Sequence, residues 1–290
     1  MTHSDHVLFD EPGPAALARH RRLSLIFYLV VAAIAAWVGK TLWADGQLAP
    51  EMWKPFLTED MWTTFLLPGI RGTLVAAAIS IVAAVTLGII LGACRQSTSW
   101  VIRKASGAIV DFFRAIPMLV LMIFFFALYA GQALFPVDYL APAAVISGLT
   151  LCNAAVIAEL VRSGIRALPR GQTEAAEALG LQPGHTMRRV LLPQAISSML
   201  PPMIAQMVVI LKDTALGYQI TYIEVVRQGV QAGSTYSNYI PALVVVAAFM
   251  VIVNFGLGRL AVAVERRVRS GRRRSVPAAA GTKVPALSQL

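Results

Sequence analysis

Six stretches of this sequence stay apolar over about the 20 residues that an α-helix needs to cross the hydrocarbon of a bilayer: residues 23–43, 70–93, 109–135, 139–161, 198–218 and 239–264. Inside a bilayer every backbone N–H and C=O needs an internal partner, which leaves only helices or a closed barrel. Long runs without polar alternation select helices. The composition agrees, at 57% hydrophobic and only 14% charged residues. The expected fold class is therefore an all-α membrane protein of about six transmembrane helices. The first run follows Arg19, Arg21 and Arg22, and its Ala33-Ile34-Ala35 mimics a signal-peptide cleavage site. It is longer than the usual apolar region of about 7–15 residues and is read as an uncleaved anchor.

A net charge of +10 raises the question of nucleic acid. The basic residues sit at the ends of apolar runs rather than on a basic helix interleaved with aromatics, so no nucleic-acid partner is expected. Lysine and arginine favour the cytoplasmic side of short loops. Arg19, Arg21 and Arg22, then Arg95, Arg103 and Lys104, then the arginines from Arg162 to Arg189, and last those from Arg266 to Arg274, all fall on one side. The opposite loop carries Asp45, Glu51, Glu59 and Asp60. Both termini are thus expected in the cytoplasm of a plasma-membrane protein. The expected divisions are a tail at 1–22, an added first span at 23–43, a transmembrane domain at 69–265 and a basic disordered tail at 266–290. Cys94 and Cys152 lie apart, without CxxC spacing, and read as packing residues.

The segment "GQTEAAEALGLQPGHTMRRVLLPQA" is polar and charged between two spans. Glu174 and Glu177 suit the positive end of a short helix, and Ala175, Ala176 and Ala178 favour it. Gly180 is placed to end that helix in the left-handed conformation, with Leu181 folding back. Pro183 fits the first turn of a second helix, expected to run to Pro193. From its residues alone, such a loop can lie on the lipid surface or dock on a partner.

Glu174-Ala175-Ala176, Gly180 six residues after Glu174, and Val190-Leu191-Leu192-Pro193 after nine more resemble the EAA signature of ABC importer permeases. Val190 replaces the usual isoleucine, and Gln182 stands where serine or threonine often caps. "GTLVAAAISIVAAVTLGIILG", "VDFFRAIPMLV", "AELVRSGIRALPRGQTEAAEALG", "VLLPQAISSMLPP" and "LKDTAL" extend the resemblance to the polar amino-acid branch over residues 69–230. "VLFDEPGP", the added span and "FLLPGIRGTL" are similar to the D-type permease subunit of actinobacterial glutamate importers. The resemblance implies a type I importer fold, with residues 166–195 as a cytoplasmic coupling loop docking on a separate ABC ATPase dimer. Glu174, Ala175, Ala176, Gly180, Leu192 and Pro193 would carry that coupling. It also implies a second permease subunit, a paralogue, and an extracellular solute-binding protein delivering a polar amino acid such as glutamate, with glutamine, histidine or arginine as alternatives. ATP and magnesium would be used by the partner, since this chain has no GxxxxGK[ST] phosphate loop.

Charge in a span is costly and needs a reason. Arg114 can gate the inner mouth, contact lipid phosphate or simply anchor the span. Glu159 and Arg162 are spaced for a local ion pair, or for a structural role near the ATPase side. Lys212 and Asp213 either face the bundle, with Lys212 attracting a carboxylate while Thr214 and Gln219 offer hydrogen bonds, or mark the outer end of the span. An ion-gradient-driven transporter would need coupling carboxylates near the bilayer centre, and Asp213 is the sole candidate. HExxH, GxSxG and clustered histidines are absent, so no catalytic, metal or cofactor site is expected in this chain.

Overall fold

The computed structural model describes residues 13–273. Among these, five helices are long and apolar enough to cross a membrane, and one bent pair passes the same test only when its two helices are taken together. The chain divides into two units, Met1–Thr58 and Glu59–Leu290. In the first, α1 (Pro14–Ala44) starts on proline, whose fixed φ suits a first helical turn. Helix therefore begins inside the segment expected to be a tail, because Ala15, Ala16, Leu17 and Ala18 are helix formers; residues 1–12 lie outside the described residues. A short α2 (Pro50–Trp53) follows, with the Trp53 indole donating to the Gln47 carbonyl at 3.2 Å.

In the second unit, a π turn at Met61–Leu66 leads into α3 (Leu67–Cys94). The buried residues of α3 are all small: Gly69, Thr73, Ala76, Ala77, Ser80, Ala84, Gly88 and Gly92. That stripe lies against α6 (Val137–Arg166), the most enclosed helix. A Cβ on Gly88 would stand 2.7 Å from Ile157, and one on Gly92 2.7 Å from the Ala158 carbonyl oxygen and Val161. The GxxxG pair is therefore a helix-packing surface, at which small side chains let two backbones approach and gain dispersion contacts.

The expected span 109–135 is two helices. The amphipathic α4 (Trp100–Ala115) meets the apolar α5 (Met118–Gly131) at a bend of 101°. The cause is Pro117: it holds Ile116 in extended backbone, φ −90° and ψ 129°. Pro142, Pro201 and Pro202 sit inside α6 and α9 without ending them. α5 packs on α6 through Met122, which fills the space over Gly148, and Tyr129 shares a 2.8 Å hydrogen bond with Ser147.

The polar loop holds α7 (Gly171–Ala178) and α8 (Pro183–Thr186). The second helix does not stop at Pro193. A π turn at Met187–Leu191 passes into α9 (Leu192–Asp213), with Pro193 in its first turn. A 3-10 segment, Thr214–Ile220, continues α9. Then come α10 (Val225–Thr235), and α11 (Tyr239–Arg273). α11 carries helix through residues 266–273, where disorder was expected, because helix-forming arginine continues the run; residues 274–290 lie outside the described residues.

Candidate functional site

The coupling loop is a bent two-helix hook. Gly180 takes φ +74°, its N–H donates to Glu177 at 2.9 Å, and the Leu181 N–H reaches back to Ala176 at 3.1 Å. This pair of bonds is the Schellman stop, satisfying carbonyls that a helix end otherwise leaves open. The hook has an inner and an outer side. Ala176 is buried, Met187, Leu191 and Leu192 pack on the cluster around Ile165 and Ala195, and Gln194 donates to Gln172 at 3.0 Å. Glu174, Ala175, Gly180 and Pro193 are exposed. Of the six coupling candidates, Ala176 and Leu192 therefore face the protein and the other four face out. Sequence reasoning passed over Leu179, a large apolar side chain 82% exposed at the tip of the hook. A lone exposed leucine is unremarkable in sequence, and only the bend at Gly180 presents it.

Glu159 and Arg162 form the local ion pair that their spacing suggested, with the Arg162 Nε donating to both carboxylate oxygens. The pair belongs to a larger network. Arg95, at the end of α3, donates to Glu159 at 3.0 Å and reaches Asp111 of α4 at 3.2 Å. One arginine thus ties three helices together where they emerge beside the hook. Arg114 is exposed on α4, within electrostatic reach of Glu159.

Lys212 and Asp213 end α9. Lys212 is exposed and Asp213 half-buried, and Gln219 is exposed along the following 3-10 segment. Thr214 is fully buried, and its hydroxyl donates to the Leu211 carbonyl at 2.7 Å. A polar pair inside the bundle, Gln206 donating to Asn153 at 2.6 Å, joins α9 to α6 ahead of Lys212 on α9.

The opposite end of the bundle is closed by the link from α9 to α10. Tyr222 donates to the Gly72 carbonyl at 2.8 Å, and the Val225 N–H to the Thr73 hydroxyl at 3.1 Å. Glu224 is fully buried and caps α10, accepting from Val226 and Arg227 at 2.8 and 2.6 Å. Burial pushes its carboxyl up to about 7, against the opposing pull of the two backbone donors and Arg227. Glu224 was not singled out in the sequence, where one glutamate between apolar residues reads as a loop charge.

Residues 84–270 match the family described as the inner membrane component of binding-protein-dependent transport systems. The chain belongs to that family. It is a permease subunit of an ABC importer, a multi-pass protein of the plasma membrane, and not an ATPase. The ion-gradient reading is thereby set aside. The chain is 50% identical to the glutamate transport system permease protein GluD of Corynebacterium glutamicum, over 79% of this chain and 84% of the relative. It is 33% identical to the arginine transport system permease protein ArtQ of Bacillus subtilis, over 71% and 93%. A solved amino acid ABC transporter with histidines superposes with a TM-score of 0.64 at 27% identity, covering 73% of this chain and 98% of that one. The MetNI methionine transporter in an inward-facing form shares the fold, with a TM-score of 0.62 at 23% identity. The family implies the general importer assembly of ATPase, permease pair, solute-binding protein and membrane.

Proposed function

We propose that this permease imports glutamate. The observation that carries the reading is its 50% identity to a glutamate permease along most of both chains, against 33% to an arginine permease. The permease domain spans 69–265, the 23–43 helix is an addition to it, and both termini are cytoplasmic. Its partner permease is a paralogue rather than a second copy.

In this reading the α7–α8 hook seats in a groove of the ATPase through Glu174, Ala175 and Leu179. Closure of the ATPase pair moves the hook as a rigid body, because Ala176 and Leu192 bind it to the core. The movement passes into α9, which continues from the hook without a loop, and so reaches Lys212 and Asp213. Lys212 attracts the substrate carboxylate on the solute path, with Gln219 beside it.

Uptake of labelled glutamate, glutamine, histidine and arginine by the assembled complex in proteoliposomes tests the substrate. Glutamate is expected to be taken up with the highest kcat/KM; preference for another of the four would overturn the assignment. Cysteine crosslinks from Leu179 are expected to capture the ATPase.

A further inference from the structure

α4 divides into three faces, and one of them is apolar and exposed among the described residues. At 100° per residue, Ser106, Val110 and Phe113 fall together and turn toward the bundle: Ser106 and Val110 are buried, and Val110 and Phe113 pack on Ala155 and Ala158 of α6. A second face gathers Val101, Ala105, Ile109 and Phe112. It is apolar and open, with Val101 66%, Ile109 45% and Phe112 59% exposed. The third face carries Arg103, Lys104, Asp111 and Arg114.

A helix that simply crossed the bilayer would not need a charged third of its circumference. The bend of 101° accounts for it: when α5 crosses the membrane, α4 lies nearly in the membrane plane. Its side of the membrane is fixed by its neighbours. Ile102 lines a cavity of about 370 Å³ together with Pro183, Met187 and Arg188 of the coupling loop. α4 therefore lies at the surface from which the hook projects, with its polar face toward water and its apolar face toward the acyl chains.

The charges point to the chemistry of what it meets. Asp111 is already paired with Arg95, and Arg103 donates to the carbonyls of Ser97 and Thr98. Among the described residues Lys104 and Arg114 make no hydrogen bond or close ion pair, and Arg114 feels only the more distant charge of Glu159. We infer that α4 is an in-plane interfacial helix that seats Val101, Ile109 and Phe112 among acyl chains and holds anionic phospholipid headgroups at Lys104 and Arg114. Because Arg95 joins α4 to Glu159 on α6, the bound lipid braces the inner end of the bundle beside the coupling hook.

The full chain in vesicles tests this, in a Cys94→Ser, Cys152→Ala background carrying one nitroxide label at a time. Labels in Val101→Cys and Phe112→Cys are expected to collide with oxygen and to escape a water-soluble nickel complex, while Lys104→Cys shows the reverse. Val101 and Phe112 labels open to nickel, or shielded from both probes by protein in the assembled complex, would overturn the proposal. For the headgroup, the Lys104→Glu, Arg114→Glu double variant is expected to enrich fluorescent phosphatidylglycerol at its surface roughly tenfold less than wild type, at about fivefold or less per cation. Lys104→Arg should restore its share. Equal enrichment of phosphatidylglycerol and phosphatidylcholine by wild type would remove the anionic part of the claim. Unchanged elution and melting of each variant shows that it has folded.

Discussion

Replacing Gly180 separates the bend of the hook from its docking. The residue sits at φ +74°, and a Cβ built there meets no atom within 4 Å. A side chain therefore clashes with nothing in the chain, and the cost is purely that of the left-handed backbone, about 1–2 kcal/mol for a non-glycine residue. The opposing force is the pair of Schellman bonds, each worth about 1 kcal/mol net. Because these terms nearly cancel, Gly180→Ala should leave the bend partly populated rather than abolish it. A shift of about 1–2 kcal/mol corresponds to roughly a 5- to 30-fold change in the bent fraction. Asparagine tolerates this conformation, so Gly180→Asn should stay near wild type, while Gly180→Val, β-branched, should be worst. Uptake and ATP hydrolysis stimulated by the loaded binding protein, measured in proteoliposomes, should rank the variants Gly, Asn, Ala, Val. Gly180→Glu adds a charge on the docking side and should stop uptake while leaving membrane insertion intact. Wild-type rates for both Ala and Val would show that the left-handed bend is irrelevant to coupling. Asn performing as badly as Val would show that bulk against the partner, not backbone strain, decides.

Three further outcomes are expected. Gly72→Ala would place a Cβ 1.9 Å from the Ile223 carbonyl oxygen, an obstacle of backbone that no side-chain rotation relieves. Stretching the Tyr222 and Val225 hydrogen bonds around it should cost about 2–4 kcal/mol, seen as a lower melting midpoint in detergent. Glu224 has a native pKa raised from 4.5 to about 7, so the folded chain keeps a proton that the unfolded chain has lost. Its contribution is full below pH 4.5 and is lost as pH rises toward 7, by about 3 kcal/mol at most, and the fall in midpoint over that window should be absent in Glu224→Gln. Lys212→Ala should raise the KM for glutamate with little change in expression; an unaltered KM and kcat would take Lys212 off the solute path.

Several features were legible in the sequence because their causes are local. The spans follow from runs of about 20 apolar residues. The hook follows from alanines, a glycine six residues after Glu174 and a proline at the next helical start, and its Schellman bonds join residues at most five apart. The Glu159–Arg162 pair, three residues apart, was foreseeable for the same reason.

Other features depend on which distant segments meet, and these only the tertiary structure decided. Arg95 reads as one more cytoplasmic arginine until packing of α3 on α6 brings Glu159 to it across 64 residues. Gly72 looks like any small residue in a span until the link after α9 crosses it. The open face of α4 was hidden for a different reason: hydropathy counts apolar residues but carries no direction, so a run turned through 101° at Pro117 is scored like a straight one. Solvent preference and short-range backbone geometry are written in neighbouring residues. Contacts that satisfy a buried charge or crowd a glycine are selected only when the folded chain places two remote segments within a few ångströms of each other.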